Sequence, residues 1–303
     1  MLGELFYWLF NMSVAATVCG IPVLLLRAVK KIPRRIFVWL WWIPFCRMVL
    51  PVGLSSEYGL MALLAKITTK TVTLYESGRV PAFTMMNYVM GAERYFPLAY
   101  KTQRLEALFQ GAAVIWLTVG LAGILLTAGT YFSGLRERKK ARHWKENLYF
   151  SPTVRTPGVY GILKPKILIP TAMEGQNLTY VLMHERTHIR RKDNLIRLLA
   201  LLTAILHWFN PFGWLFLKLL FTDLEQACDE AVLTQCTGEQ RKEYARALLS
   251  AAERTRWLTS SFGGGKLRSR IENILSYRRL SAGSAVAFGA LILAIAYLLL
   301  TNA

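Results

Sequence analysis

Residues 184–188 read HERTH: two histidines four apart, with a glutamate directly after the first. On an α-helix that spacing stacks both imidazoles on one face. Both then reach one Zn²⁺ at about 2.0–2.1 Å. Glu185 sits beside the first ligand without binding the ion, the position of a general base. A catalytic zinc needs a third protein ligand and an open position. The best candidate lies in FTDLEQACDEAVL (221–233), where Glu225 and Asp229 share a helical face. Glu225 supplies the carboxylate ligand, and Asp229 accepts a hydrogen bond from the free N–H of a ligand histidine, fixing its tautomer. Asp223 and Glu230 compete for the ligand role, although a solvated helix surface accounts for both. His143 falls in a cationic linker. His207, beside Trp208 and near Asn210, reads as a hydrogen-bonded packing residue, Cys228 as a small packed one, and Asp193 as a helix cap in preference to a support for a ligand. Tyr244 is a candidate oxyanion partner, with helix packing the plainer reading. For HERTH itself the plain reading is a solvated helix with two ordinary histidines.

The elements that carry these residues belong to a membrane class. Of 303 residues 54% are hydrophobic, mean hydropathy is positive, and the net charge is +19. The basic residues cluster beside apolar runs, which suits anionic headgroups and topology control, and no nucleic-acid motif accompanies them. Four cysteines without a CxxC pair argue against a disulfide framework or a cysteine zinc cage.

The sequence predicts a mainly α membrane protein with four transmembrane helices, a membrane-embedded helical hairpin and a cytosolic HExxH zinc-protease domain with a small β-sheet. The spans run from about Leu5 to Leu26, Ile36 to Leu54, Leu108 to Phe132 and Ala282 to Thr301. The first has no basic n-region or cleavage site and reads as a retained span. Arg47 in the second faces other helices or snorkels, and the tryptophans at 39–42 form an interfacial belt. The expected layout is two spans in 1–54, an extracellular loop 55–107, a third span 108–132, a protease domain 133–281 and a fourth span with a short external tail, 282–303. Five basic residues in 27–35 and six in 136–145 place those loops in the cytosol and both termini outside. Segment 195–221 is long enough to cross once, but NPFG (210–213) interrupts it. Each half is too short to span, so it enters from the cytosol and returns. Only such a hairpin lets Glu225 meet His184 and His188.

Short β-prone pieces at 159–163 and 166–169 predict a small sheet before the HERTH helix, with an edge that either holds an extended substrate or buttresses the helix. Residues 253–270, ERTRWLTSSFGGGKLRSR, read as a flexible loop.

The order of apolar spans, GILKPKILIP, HERTHIRRKD, HWFNPFGW, DLEQACDEAVL and a terminal span resembles the membrane gluzincin peptidases of the BlaR/MecR antirepressor type. The resemblance implies zinc held by His184, His188 and Glu225, with Glu185 catalytic and Asp229 supporting. It also implies self-cleavage after the zinc site, which would fall near Ser261–Phe262, and inactivation of a cytosolic repressor. The sensor-transducers of that family carry a penicillin-binding domain after the last span; here no Ser-x-x-Lys motif is found, so a sensor domain is not expected. Expected partners are membrane lipid, a protein substrate such as a cytosolic transcriptional repressor, a separate sensor protein and a second copy of the chain as a homodimer, without direct nucleic-acid contact. The expected location is a bacterial cell membrane, with the active site at the cytosolic face. The alternatives are a quality-control or maturation protease, and a non-enzymatic transducer with a structural metal site.

Overall fold

A computed structural model describes residues 2–29, 32–50, 103–256, 264–277 and 281–300. These are mainly helical, with one small sheet, and divide into two units. The first comprises residues 1–123, 200–220 and 281–303; the second comprises 124–199 and 221–280.

In the first unit α1 (Leu2–Arg27) packs on α2 (Arg34–Leu40) and α3 (Trp42–Val49). The sequence predicts one span over 36–54, whereas α2 and α3 are separate helices of 7 and 8 residues. The cause is Pro44: it has no N–H for the carbonyl of Leu40, and its ring crowds that carbonyl. Residues 51–54 and nearly all of the 55–107 loop lie outside the described residues. The apolar part of α4 (Gln103–Lys140) joins α1 in a core of Phe6, Leu9, Met12, Ala113 and Trp116. Gly20 is required here, because a Cβ on it would stand 2.0 Å from Cζ of Phe216. Among the described residues two helices are long and apolar enough to cross a membrane, over Leu5–Arg27 and Leu108–Glu137, while α10 (Ala282–Leu300) carries a shorter apolar stretch, Val286–Leu299.

The NPFG break is real. Helix α6 (Asp193–Leu206) stops, and α7 (Pro211–Leu233) starts with proline at its first position, where a missing N–H costs nothing. Asn210 caps α7: its Oδ1 accepts the Phe212 N–H at 2.9 Å, while its Nδ2 donates to Ser13 Oγ at 2.8 Å and Thr17 Oγ1 at 2.9 Å. His207 bonds the Met48 carbonyl at 3.0 Å and takes no part in the metal centre described below.

The second unit holds a four-stranded sheet in the order β1-β2-β4-β3. Strands β3 (Gly158–Tyr160) and β4 (Lys166–Pro170) pair antiparallel, and β2 (Leu148–Ser151) runs parallel to β4. The first strand, β1 (Arg142–Lys145), overturns the placing of His143 in a cationic linker: it is an exposed strand residue bonded to the Glu146 carbonyl. Leu148, Phe150, Ile167 and Ile169 pack with Val181, Leu182 and Ile189 of α5 (Thr179–Arg191), fixing the helix that carries HERTH against the sheet. A second core, with Val232, Cys236, Tyr244, Ala245 and Ile274, ties α7 to α8 (Gly238–Arg256) and α9 (Gly264–Leu275).

Candidate metal centre

Helix α5 ends at Lys192, whose φ of 57° turns the chain sharply. That turn brings Asp193, at the first position of α6, back onto α5. Its Oδ2 lies 2.6 Å from Nδ1 of His188, and the side chain is fully buried. The sequence favours Asp193 as a cap; instead it is the partner of His188.

His184 is held by a longer chain of bonds. The Tyr244 hydroxyl donates to Oδ1 of Asp229 at 2.6 Å, so its oxygen is left to accept from Nδ1–H of His184 at 2.9 Å. Asp229 Oδ1 itself stands 3.3 Å from that Nδ1. Arg270 completes the set, with Nε donating to Oδ2 and Nη2 to Oδ1 of Asp229, both at 2.7 Å. These partners assign the Nδ1–H tautomer to both histidines.

Both Nε2 atoms therefore present lone pairs, 3.1 Å apart. The carboxylate of Glu225 faces them, Oε2 at 3.6 Å from His184 Nε2 and Oε1 at 3.7 Å from His188 Nε2. Three acceptors converge at this range. Arg270 Nη2 stands 3.5 Å from His184 Nε2 and Arg197 donates to Glu225, so guanidinium groups already flank them, and a metal ion between them would relieve their mutual repulsion further. Ligand atoms on a tetrahedral zinc with bonds of about 2.05 Å stand about 3.3 Å apart, so the residues fit such an ion. Cys228 is also close, its thiol 3.6 Å from Nδ1 of His184 and 3.4 Å from the His184 carbonyl. His184, His188 and Cys228 can offer ligand atoms within 4.8 Å of one another. The thiol, however, approaches the Nδ1 edge that Tyr244 and Asp229 already occupy.

Electrostatics follow the same pattern. Burial opposes charge on both rings, yet Tyr244, Cys228 and Asp229 hold His184 well above the ordinary imidazole range, and Asp193 and Cys228 raise His188 to about 9. A proton or a metal ion relieves the facing lone pairs, so metal binding must displace protons. Burial pushes Glu225 up, but His184, His188 and Arg197 outweigh it and hold the carboxyl well below its usual range. Burial lifts Glu185 above that range, against the pull of the two histidines.

Glu185 lines a cleft of about 400 Å³ with His184, His188, Glu225, Arg270 and strand β3. Among the described strands β3 is at the sheet edge. Its Val159 carbonyl accepts from Asn194 Nδ2 at 2.9 Å, so Val159 turns its backbone groups away from β4 and toward the open side.

The fold thus brings His184, Glu185, His188, Glu225 and Asp229 together. Ser261 and Phe262 lie outside the described residues. Residues 264–270, read from sequence as loop, are helical, and they deliver Arg270, which no motif announces. Tyr244 is fully buried on the Nδ1 side of His184 and points away from the cleft's ligand face, so it positions the histidine and does not face an oxyanion.

If Arg270 acts through Asp229, the two substitutions must not add. Arg270→Gln is expected to weaken zinc binding by about tenfold and Asp229→Asn by about 10–100-fold. The double variant is expected to match Asp229→Asn alone. Metal affinity from competition titration checks this; multiplying effects would assign Arg270 a separate role.

Comparison with known proteins adds a lineage. Residues 7–280 match the family described as BlaR1 peptidase M56. The chain is 31% identical over 160 residues to the regulatory protein BlaR1 of Bacillus licheniformis, covering 48% of this chain and 27% of that protein. It is 26% identical over 131 residues to the methicillin resistance mecR1 protein of Staphylococcus aureus, covering 40% and 22%. It is 25% identical over 144 residues to the regulatory protein BlaR1 of S. aureus, covering 43% and 25%. The matches thus span about a quarter of the length of these relatives.

Proposed function

Because the chain belongs to the BlaR1 peptidase M56 family, a metallopeptidase family, we propose that it is a membrane-embedded zinc endopeptidase that cleaves peptide bonds at the cytosolic membrane face. The observation that carries this reading is the convergence of two Nε2 lone pairs and the Glu225 carboxylate beside a glutamate that lines the same cleft. His184, His188 and Glu225 would hold the ion. When bound, zinc supplies Lewis acidity that polarises the scissile carbonyl. Glu185 accepts a proton from the attacking water at its carboxylate and returns it to the leaving amine. Asp193 and the Tyr244–Asp229–Arg270 set keep the imidazoles oriented. The edge of β3, where Val159 turns its N–H outward and its carbonyl already accepts from Asn194, receives an extended peptide by strand addition.

The reading extends to topology and pathway. It takes α1, the α2–α3 pair, α4 and α10 as the four membrane crossings. It takes residues 195–221 as a hairpin that returns Glu225 to its face of origin, and both termini as external. The substrate is a cytosolic transcriptional repressor, as the resemblance to the BlaR/MecR antirepressor type implies, and the chain also cuts itself near Ser261–Phe262; the relatives' own names say only that they are regulatory proteins. Intact mass of the purified protein in lipid nanodiscs tests the chemistry. Wild type loaded with zinc is expected to yield fragments. Glu185→Ala and chelator-treated wild type are expected to stay whole, with fragments returning when zinc is restored to the latter. Fragments of Glu185→Ala at the wild-type rate would refute the mechanism.

A further inference from the structure

Leu163, at the tip of the β3–β4 loop (161–165), is 94% exposed. A single exposed leucine is ordinary, but the position of this loop is not. Its Gly161 and Ile162 share a cavity of about 290 Å³ with Thr127, Thr130 and Tyr131 of α4. Those residues lie inside the apolar stretch Leu108–Glu137. Gly134 of α4 faces the ring of Tyr160, so the chain leaving β3 runs back along α4, away from its charged end at 136–140 and into the apolar part. On that part Leu125, Leu126 and Phe132 are 62%, 71% and 59% exposed.

The sheet adds a second set of groups at the same end. Strands β2 and β4 are parallel with Leu148 opposite Ile167, so the β1–β2 turn and the β3–β4 loop emerge together. Trp144 is 53% exposed there, Lys145 and Lys164 are exposed, and Lys166 Nζ sits 3.9 Å over the ring of Tyr149. An apolar tip with exposed lysines and a half-exposed tryptophan packed on Phe150 at the same end, where the one acid of the β1–β2 turn, Glu146, is paired with Arg186, matches the chemistry of a bilayer interface. Indole settles at headgroup depth, apolar stems enter the acyl region and ammonium groups meet phosphate.

We propose that this end of the sheet docks on an anionic phospholipid bilayer, with Leu163 entering the acyl region and Lys145, Lys164 and Lys166 meeting the headgroups. The proposal rests on the reading of α4 as a membrane span. Val159, Tyr160 and Asn194 line both this cavity and the cleft of the metal centre. The lipid contact therefore fixes the strand that receives substrate, and the cleft takes peptide segments lying along the membrane surface.

The test places a photoreactive diazirine amino acid at position 163, 126 or 155 of the whole chain. The protein is held in nanodiscs of phosphatidylcholine with phosphatidylglycerol, and adducts are read by mass spectrometry. Arg155 is exposed in the loop at the opposite end of the sheet. Phospholipid adducts are expected at 163 and 126, and water adducts at 155. Removing phosphatidylglycerol, or making Lys164→Glu with Lys166→Glu, is expected to lower the adduct at 163 several-fold. Water adducts at 163 with lipid adducts at 126 would overturn the proposal and leave the span reading standing. Water adducts at both would remove the span reading as well. Lipid adducts at 163 that ignore both headgroup charge and the lysines would overturn the anionic docking. None of these readouts depends on peptidase activity, so failure of the metal-centre reading is a separate result.

Discussion

Replacing Glu185 by glutamine is expected to leave zinc bound and to lower peptide turnover by about 10²–10⁴-fold, the range of a lost general base. The side chain is 8% exposed and lines the cleft, one residue along α5 from His184. Among the described residues no hydrogen bond or ion pair holds its carboxyl, so a proton is the natural thing for it to exchange. Burial lifts its affinity for that proton above the ordinary carboxylate range, which suits a group that must both take a proton and give it back. The sign for pH follows. The carboxyl works as a base only when ionised, so turnover should rise with pH through its pKa, with burial raising that limb and the bound cation lowering it. Glutamine keeps the volume and removes the basicity. Metal content by mass spectrometry, with turnover of a quenched peptide, separates this from loss of the ion. Turnover close to wild type with zinc retained would remove Glu185 from the chemistry.

The parts of this arrangement that were legible in the sequence are those with a short period or a strong local breaker. His184 and His188 share a helical face because four residues make just over one turn, and Asn210-Pro211 stops a helix by its own covalent chemistry. The split between α2 and α3 was readable in principle, since Pro44 acts on Leu40 in the same way, but the apolar run around it masks the break. The supports of the histidines were not readable. Asp193 reaches His188 through the left-handed Lys192, and a lysine with positive φ has no strong sequence signal. Arg270 meets Asp229 across 41 residues, a contact made by tertiary packing alone. Strands β1 and β2 were missed because RHWKENLYFS has three charged residues and no clean alternation; β2 is held by β4, which is buried along nearly its whole length, and β1 pairs onto β2.

The choice between Glu225 and Cys228 as third ligand carries the other large effect. Both sit on α7, three residues apart, and both approach the histidines. The geometry separates them by which edge of His184 they meet. Glu225 faces Nε2, which also has His188 Nε2 at 3.1 Å and Arg270 Nη2 at 3.5 Å; Cys228 faces Nδ1, whose hydrogen is committed to Tyr244 and Asp229. Binding through Cys228 at that Nδ1 edge would require His184 to give up the bond and leave a buried carboxylate and phenol short of a partner, a cost without an offsetting gain. Glu225→Ala is therefore expected to weaken zinc binding by more than the roughly 10–100-fold typical of an outer support, while Cys228→Ser leaves it nearly unchanged. Removing Glu225 also strips a partner from Arg197 and Arg270. Glu225→Gln, which keeps an acceptor for Arg197 but loses the charge, guards against a folding defect, and circular dichroism reports on the fold. Cobalt(II) in place of zinc gives an independent readout, because a thiolate ligand adds a sulfur-to-metal charge-transfer band that a carboxylate does not. Wild type should lack the band; its presence there, and its loss in Cys228→Ser, would move the third ligand to the cysteine and leave Glu225 as the counter-ion of two arginines.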